Sequence, residues 1–128
     1  MAYIKLFFAA NDVQVSEQGT FTNAVEFTLR ADLEESDSVR LYALADTGYE
    51  VTTTEVIPVG TSAAKWALAP DTDGSEGTYG ADGAKIELGT VGDTEKVYFW
   101  AKAKATSDED PVNDTSVTLE ATGIAGAV

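Results

Sequence analysis

The sequence predicts an all-β sandwich of seven to nine short strands, held without a disulfide. Three observations predict it. Apolar and polar residues alternate with period two through most of the 128 residues, while the 3.6-residue period of an amphipathic helix is nearly absent. Glycine, proline, asparagine and aspartate cluster between the alternating runs, as they do where short antiparallel strands turn back on each other. The chain has no cysteine, and a domain of this size buries roughly two-thirds of its unfolded surface, enough to fold without staples. The length suits one domain, expected to span residues 1–128.

Taken in order, Tyr3 to Ala9 is the first predicted strand, with a short extended partner at Val13 to Val15 after the Asn11-Asp12 turn. Asn23 to Ala31 alternates most cleanly, with Val25, Phe27, Leu29 and Ala31 opposed to Glu26, Thr28 and Arg30. Asp32 to Asp37 reads as a charged loop. Ser38 to Ala45 sets Val39, Leu41 and Ala43 against Arg40, Tyr42 and Leu44, and Asp46-Thr47-Gly48 turns the chain into a β-branched strand, Tyr49 to Ile57. Pro58 is expected to interrupt that strand. Ala64 to Ala69 is a short strand carrying Trp66 and Leu68. Pro70 to Gly83 reads as one long exposed loop, and Lys85 to Leu88 as a brief strand that Gly89 to Asp93 turns. Glu95 to Ala105 puts Val97, Phe99, Ala101 and Ala103 on one face and Tyr98, Trp100, Lys102 and Lys104 on the other. Thr115 to Ala121 closes the set with Val117 and Leu119 inward. Shared parity predicts a core of Val25, Phe27, Leu29, Leu41, Trp66, Val97, Phe99 and Leu119.

Composition narrows the chemistry. Twenty-two acidic against eight basic residues give a net charge of −14, which repels phosphate backbones and anionic lipid, so neither nucleic acid nor membrane is expected as a partner. With no histidine and no cysteine, thiolate zinc sites and imidazole-assisted nucleophiles are closed. The carboxylate pairs Glu34-Glu35 and Asp108-Glu109-Asp110 sit in polar runs expected to be hydrated, unlike a desolvated catalytic acid. Asp71-Thr72-Asp73-Gly74 has the look of a calcium loop, but glycine stands fourth rather than sixth and no glutamate stands twelfth. It reads as a solvated hairpin. No catalytic residue, cofactor or metal is therefore expected. The first residues carry no basic start or apolar leader core, so the expected setting is the cytoplasm of the producing cell or a particle assembled there.

Two groups of residues are candidates for recognition. Tyr98, Trp100 and Lys102 share the face of the long strand opposite its apolar side. A flat aromatic platform of this kind suits sugar stacking, as in a carbohydrate-binding or adhesion module; the same face also suits burial against a neighbouring subunit. Tyr3, Ile4, Leu6, Phe7 and Phe8 are candidates for self- or partner assembly, because the first strand is apolar on both faces and only Lys5 guards it. The apolar tail after Glu120 is a further candidate.

The run Lys85 to Ala103, a short strand, a corner loop and a long strand, resembles the second half of immunoglobulin-like and fibronectin-type sandwiches, and Asp114 to Ala121 resembles their final strand. The opening Ile4-Lys5-Leu6-Phe7, with Trp66-Ala67-Leu68-Ala69-Pro70-Asp71 and Val97-Tyr98-Phe99-Trp100-Ala101-Lys102-Ala103, is similar to small virion proteins of tailed bacteriophages. The resemblance implies an immunoglobulin-like fold and a non-enzymatic structural role in a virion. Such a protein decorates the capsid or forms an accessory part, contacting the major capsid protein, other virion proteins or further copies of itself.

Overall fold

The computed structural model describes residues 4–15, 36–60, 63–104 and 118–127. Among them the chain is all-β, with eight strands and a single 3-10 turn at Ala63–Lys65. The strands are β1 (Ile4–Phe8), β2 (Ser36–Ala45), β3 (Tyr49–Val59), β4 (Trp66–Thr72), β5 (Ser75–Glu76), β6 (Ile86–Val91), β7 (Val97–Lys104) and β8 (Thr118–Ala127). They form a five-stranded sheet in the order β1-β2-β7-β4-β5 and a three-stranded sheet in the order β6-β3-β8, with antiparallel neighbours throughout.

The two sheets share one apolar core, and strand parity decides what enters it. Ile4 and Leu6 of β1, Leu41 and Ala43 of β2, Phe99 and Ala101 of β7 and Leu68 of β4 meet Val51 and Val56 of β3, Val91 of β6 and Ala121 of β8. Leu41 and Phe99 are fully buried as their alternation predicts, and Trp66, Val97 and Leu119 pack against the cluster from its rim. The predicted core residues Val25, Phe27 and Leu29 lie outside the described residues.

Four local expectations change. β3 runs through Pro58 to Val59, because Pro58 lies beyond the last β6 pair at Val56 and there faces only β8 among the described strands. β6 continues to the buried Val91 instead of turning at Gly89, whose φ of +73° absorbs an irregular step in the ladder. The tail after Glu120 is not loose: β8 pairs with β3 as far as Tyr49↔Ala127. The predicted 70–83 loop is largely bound to its neighbours. β4 extends to Thr72 and turns into β5, and then the amides of Gly77, Gly80 and Gly83 donate to the carbonyls of Pro70, Leu68 and Trp66. This strap covers the outer edge of β4.

The opposite edge of the sheet is covered as well. Val13 to Val15 turn back along β1, with Phe8 N–H donating to Val13 O and Val15 N–H to Leu6 O, each at 2.8 Å. Covered edges leave the five-stranded sheet little backbone with which to recruit a foreign strand. Its outer face is what it presents.

β3 carries the main irregularity. Between Thr52 and Glu55 its registers with both neighbours shift, and Thr53 takes a left-handed φ of 53°. The extra residue lets both Val51 and Thr54 point inward, and the buried Thr54 hydroxyl donates to Val51 O at 3.0 Å, so it costs no unpaired polar group.

Candidate interaction surface

The same parity that sends Leu41 and Phe99 inward turns Arg40, Tyr42, Tyr98, Trp100 and Lys102 onto the outer face of the five-stranded sheet. Register then makes them neighbours: Arg40 stands opposite Trp100, Tyr42 opposite Tyr98 and Phe7 opposite Tyr42. Cross-strand pairs of this kind are the unit of sheet stabilisation. The Phe7 and Tyr42 rings stack at 5.1 Å, and Tyr42 meets Tyr98 edge-on at 5.6 Å. A continuous aromatic row therefore crosses β1, β2 and β7.

Asp71 is the hub of the row's far end. Arg40 Nε and Nη2 donate to its two carboxylate oxygens at 2.8 and 3.1 Å, Trp100 Nε1 donates at 2.9 Å, and the Gly74 amide donates at 3.1 Å. The forked geometry is the strong form of a charge-assisted pair. The Arg40 guanidinium, beside Trp100 and the Gly74 amide, holds the Asp71 carboxyl below its usual range, against the opposing effect of burial. Arg40 also lies 3.8 Å above the Tyr98 ring centre, a cation–π contact that fixes the plane of its guanidinium. The Asp71 side chain is 11% exposed and that of Arg40 33%.

Two smaller clusters flank this hub. At one side Tyr42 donates to Asp12 at 2.8 Å, while Lys96 lies 3.4 Å from the same carboxylate and 4.8 Å above the Tyr42 ring. Burial, and then the Asp12 carboxylate, push the Tyr42 phenol up to about 12. At the other side Tyr79 in the strap donates to Glu76, and Lys102 sits 4.3 Å above the Tyr79 ring. Hydrogen bonds from Ser38 and Tyr79 hold the Glu76 carboxyl low, and burial followed by Glu76 raises the Tyr79 phenol.

The structure thus gathers Tyr98, Trp100 and Lys102 on one face, where Arg40 caps the Tyr98 ring and the Trp100 N–H is committed to Asp71. The first strand divides. Ile4 and Leu6 are in the core, Phe8 packs against it, and Phe7 joins the outer face; Tyr3 lies outside the described residues. Asp71 belongs to the face and not to an ion-binding loop, since four donors already occupy its oxygens. Among the described residues no three acidic side chains converge as a metal ligand set.

Arg40 and Tyr42 carried a signal in the sequence, their outward parity, but nothing local says which strand lies beside β2. Asp71, Glu76 and Tyr79 carried none, because their place depends on how the strap folds back. Searches against protein-family models, curated proteins and solved structures find no match to this chain.

Proposed function

We propose that this chain is a non-enzymatic structural component of a bacteriophage virion, a capsid decoration or accessory protein with an immunoglobulin-like sandwich, working through protein–protein contacts. The observation that carries the contact role is the ordered Arg–Trp–Tyr cluster on the outer face of the five-stranded sheet. Arginine, tryptophan and tyrosine dominate the energetically important centres of protein interfaces. The virion assignment draws on the resemblance of the Ile4, Trp66 and Val97 segments to small phage virion proteins. Its partners are then the major capsid protein, other virion proteins or neighbouring copies. Contacts that exist only in the assembled shell stabilise it by mass action.

The sugar-binding alternative is less well supported by the geometry. A stacking platform needs a free ring face, whereas here Arg40 covers one face of Tyr98 and Tyr42 is only 3% exposed.

The test is direct. Density-gradient-purified particles from the producing cell should contain the chain, and particles stripped of it should lose integrity at a lower temperature and regain it when the chain is added back. Absence from particles, together with binding of the free protein to a glycan array, would replace this reading with the adhesion one.

A further inference from the structure

Three cations lie over three aromatic rings on the outer face of the five-stranded sheet. Lys96 Nζ stands 4.8 Å from the Tyr42 ring centre, Arg40 Cζ 3.8 Å from that of Tyr98, and Lys102 Nζ 4.3 Å from that of Tyr79. A carboxylate sits at the edge of each pair: Tyr42 donates to Asp12, Arg40 and Trp100 to Asp71, and Tyr79 to Glu76. The ring supplies a negative face and the carboxylate a negative rim, so each is a cup for a cation. The three cations are not held alike. Arg40 is fixed by its forked pair with Asp71. Lys96 lies 3.4 Å from Asp12 with 42% of its side chain exposed, and Lys102 acts on Glu76 by charge from its place over Tyr79. Ammonium heads on flexible four-carbon stems are the exchangeable members of the set.

We infer that this face docks a lysine- or arginine-rich segment of a partner protein, whose cations take the places that Lys96 and Lys102 hold over Tyr42 and Tyr79. The inference rests on the proposed contact role of the face, though not on a virion. The whole chain selects the sign of the partner. Its net charge is −14, and wherever the individual acidic residues lie, their summed field draws a basic segment in and turns an acidic one away. The cups select where that segment settles. Each already seats an ammonium group, so ring and carboxylate are spaced to receive one. Exchanging one cation for another keeps both the contact with the ring and the charge beside the carboxylate. A neutral ligand such as a sugar would displace the lysine and restore neither. The displaced lysines return to water on their own stems, where an ammonium group is well hydrated.

The resident lysines also set the strength of the contact. A cation over a ring at an exposed site is worth a factor of about two to five. Each resident lysine competes for its cup by that factor, so together they hold the affinity down by roughly five- to thirtyfold. What drives docking in their presence is the attraction of the whole acidic body, which salt screens beyond about 10 Å at 0.1 M. The contact is therefore weak and salt-sensitive in the free chain, and it tightens when the resident cations are removed.

Calorimetric titration of the full chain with a short oligolysine peptide at low salt tests the inference, beside the same peptide acetylated at every side chain. The wild type is expected to bind the charged peptide and not the acetylated one. The double variant Lys96→Ala with Lys102→Ala empties both cups and should bind oligolysine roughly five- to thirtyfold more tightly. Lys85→Glu makes the same change of net charge away from the face, beside Glu55 and Glu87, and should shift the affinity by less than about twofold. Adding Tyr79→Leu to the double variant removes one ring and should give back a factor of about two to five; circular dichroism checks that each variant folds. No binding of oligolysine by either the wild type or the double variant overturns the inference. So does an affinity that rises as much with Lys85→Glu as with the emptied cups, the mark of attraction to the acidic body as a whole, or one that Tyr79→Leu leaves unchanged. Failure here leaves the virion reading standing, and absence from particles leaves this cation-binding face standing.

Discussion

Replacing Gly123 with alanine tests how β8 packs against the bulge of β3. A Cβ built at Gly123 lies 2.4 Å from Val51 Cγ1, 2.9 Å from Thr52 O and 3.3 Å from Thr54 Cα. Ordinary carbon–carbon contact begins near about 3.5 Å, so the new methyl overlaps Val51 by roughly 1 Å. Neither neighbour can easily give way. Val51 is fully buried in the core, and Thr52 O belongs to backbone already committed to pairing with β8. Overpacking of this kind costs about 1–3 kcal/mol, and rigid neighbours on both sides put the expected value at the upper end. With an unfolding entropy of about 2.1 cal/mol/K per residue, ~3 kcal/mol lowers the melting temperature by about 11 °C.

The assay is thermal and urea unfolding of Gly123→Ala beside Gly126→Ala. Gly126 lies on the same strand with open space where its Cβ would stand, so its substitution should stay within about 0.5 kcal/mol of wild type. Combining Gly123→Ala with Val51→Ala makes room for the methyl, and the pair should cost less than the sum of the singles by at least ~1 kcal/mol. A Gly123→Ala protein melting within about 2 °C of wild type, or a strictly additive pair, would refute the bulge packing.

Other expectations follow from the same structure. Leu6→Ala, which empties a buried core position, should cost about 2–5 kcal/mol, whereas Phe7→Ala on the outer face should cost clearly less; equal losses in urea unfolding would mean that the parity of β1 is misread. In an alkaline absorbance titration, the Tyr42 phenol should ionise only near pH 12, with that of Tyr79 also later than the ordinary value near 10. Because the folded Tyr42 value is raised, its contribution to stability is present below pH 10 and lost between 10 and 12, and Tyr42→Phe should flatten that decline. Acid acts with the opposite sign on Asp71, whose folded value is lowered. Its contribution holds above about pH 4 and falls away as pH drops through the depressed folded value, and Asp71→Asn should remove that part of the acid dependence while Asp73→Asn leaves it.

The sequence made the strands legible wherever a strand has one buried side. β2 and β7 each alternate cleanly because one side of each, with Leu41 and Phe99, enters the core that also holds Val51 and Val56, while the other side carries Arg40, Tyr42, Tyr98 and Trp100. Period two is the direct imprint of that asymmetry. It fails where the backbone departs from the pleat. The Thr53 bulge shifts the inward parity of β3 from Val51 to Thr54 and Val56, and no alternation count registers an inserted residue. Glycines misled for a related reason. In the sequence they read as turn signals from Gly74 to Gly92, but Gly77, Gly80 and Gly83 serve as edge donors to β4, and Gly89 sits inside β6. The hub at Asp71 was invisible for a third reason: its partners are 31 and 29 residues away, and only the adjacency of β2, β7 and β4 brings them together.

That adjacency also decides how readily the face can bind. An interface ordinarily loses about 0.5–1.5 kcal/mol for each long side chain it must immobilise, and arginine and tryptophan at a free surface would each incur that loss on association. Here Arg40 is already held at both its edge and its plane, by the Asp71 carboxylate and the Tyr98 ring, and Trp100 is held by the same carboxylate. The ordering cost falls on folding, where the hydrophobic core behind Phe99 and Leu41 offsets it. Association then begins from side chains that hold one geometry. Loosening the hub should therefore weaken association even though Arg40, Tyr98 and Trp100 all remain. Asp71→Asn provides that perturbation: it keeps the shape of the side chain but removes the charge that fixes Arg40. A variant that melts cooperatively yet rebinds stripped particles several-fold more weakly would show that preorganisation, more than contact area, sets the strength of this face. Unchanged rebinding would mean that Arg40 and Trp100 are ordered by their neighbours regardless of the ion pair.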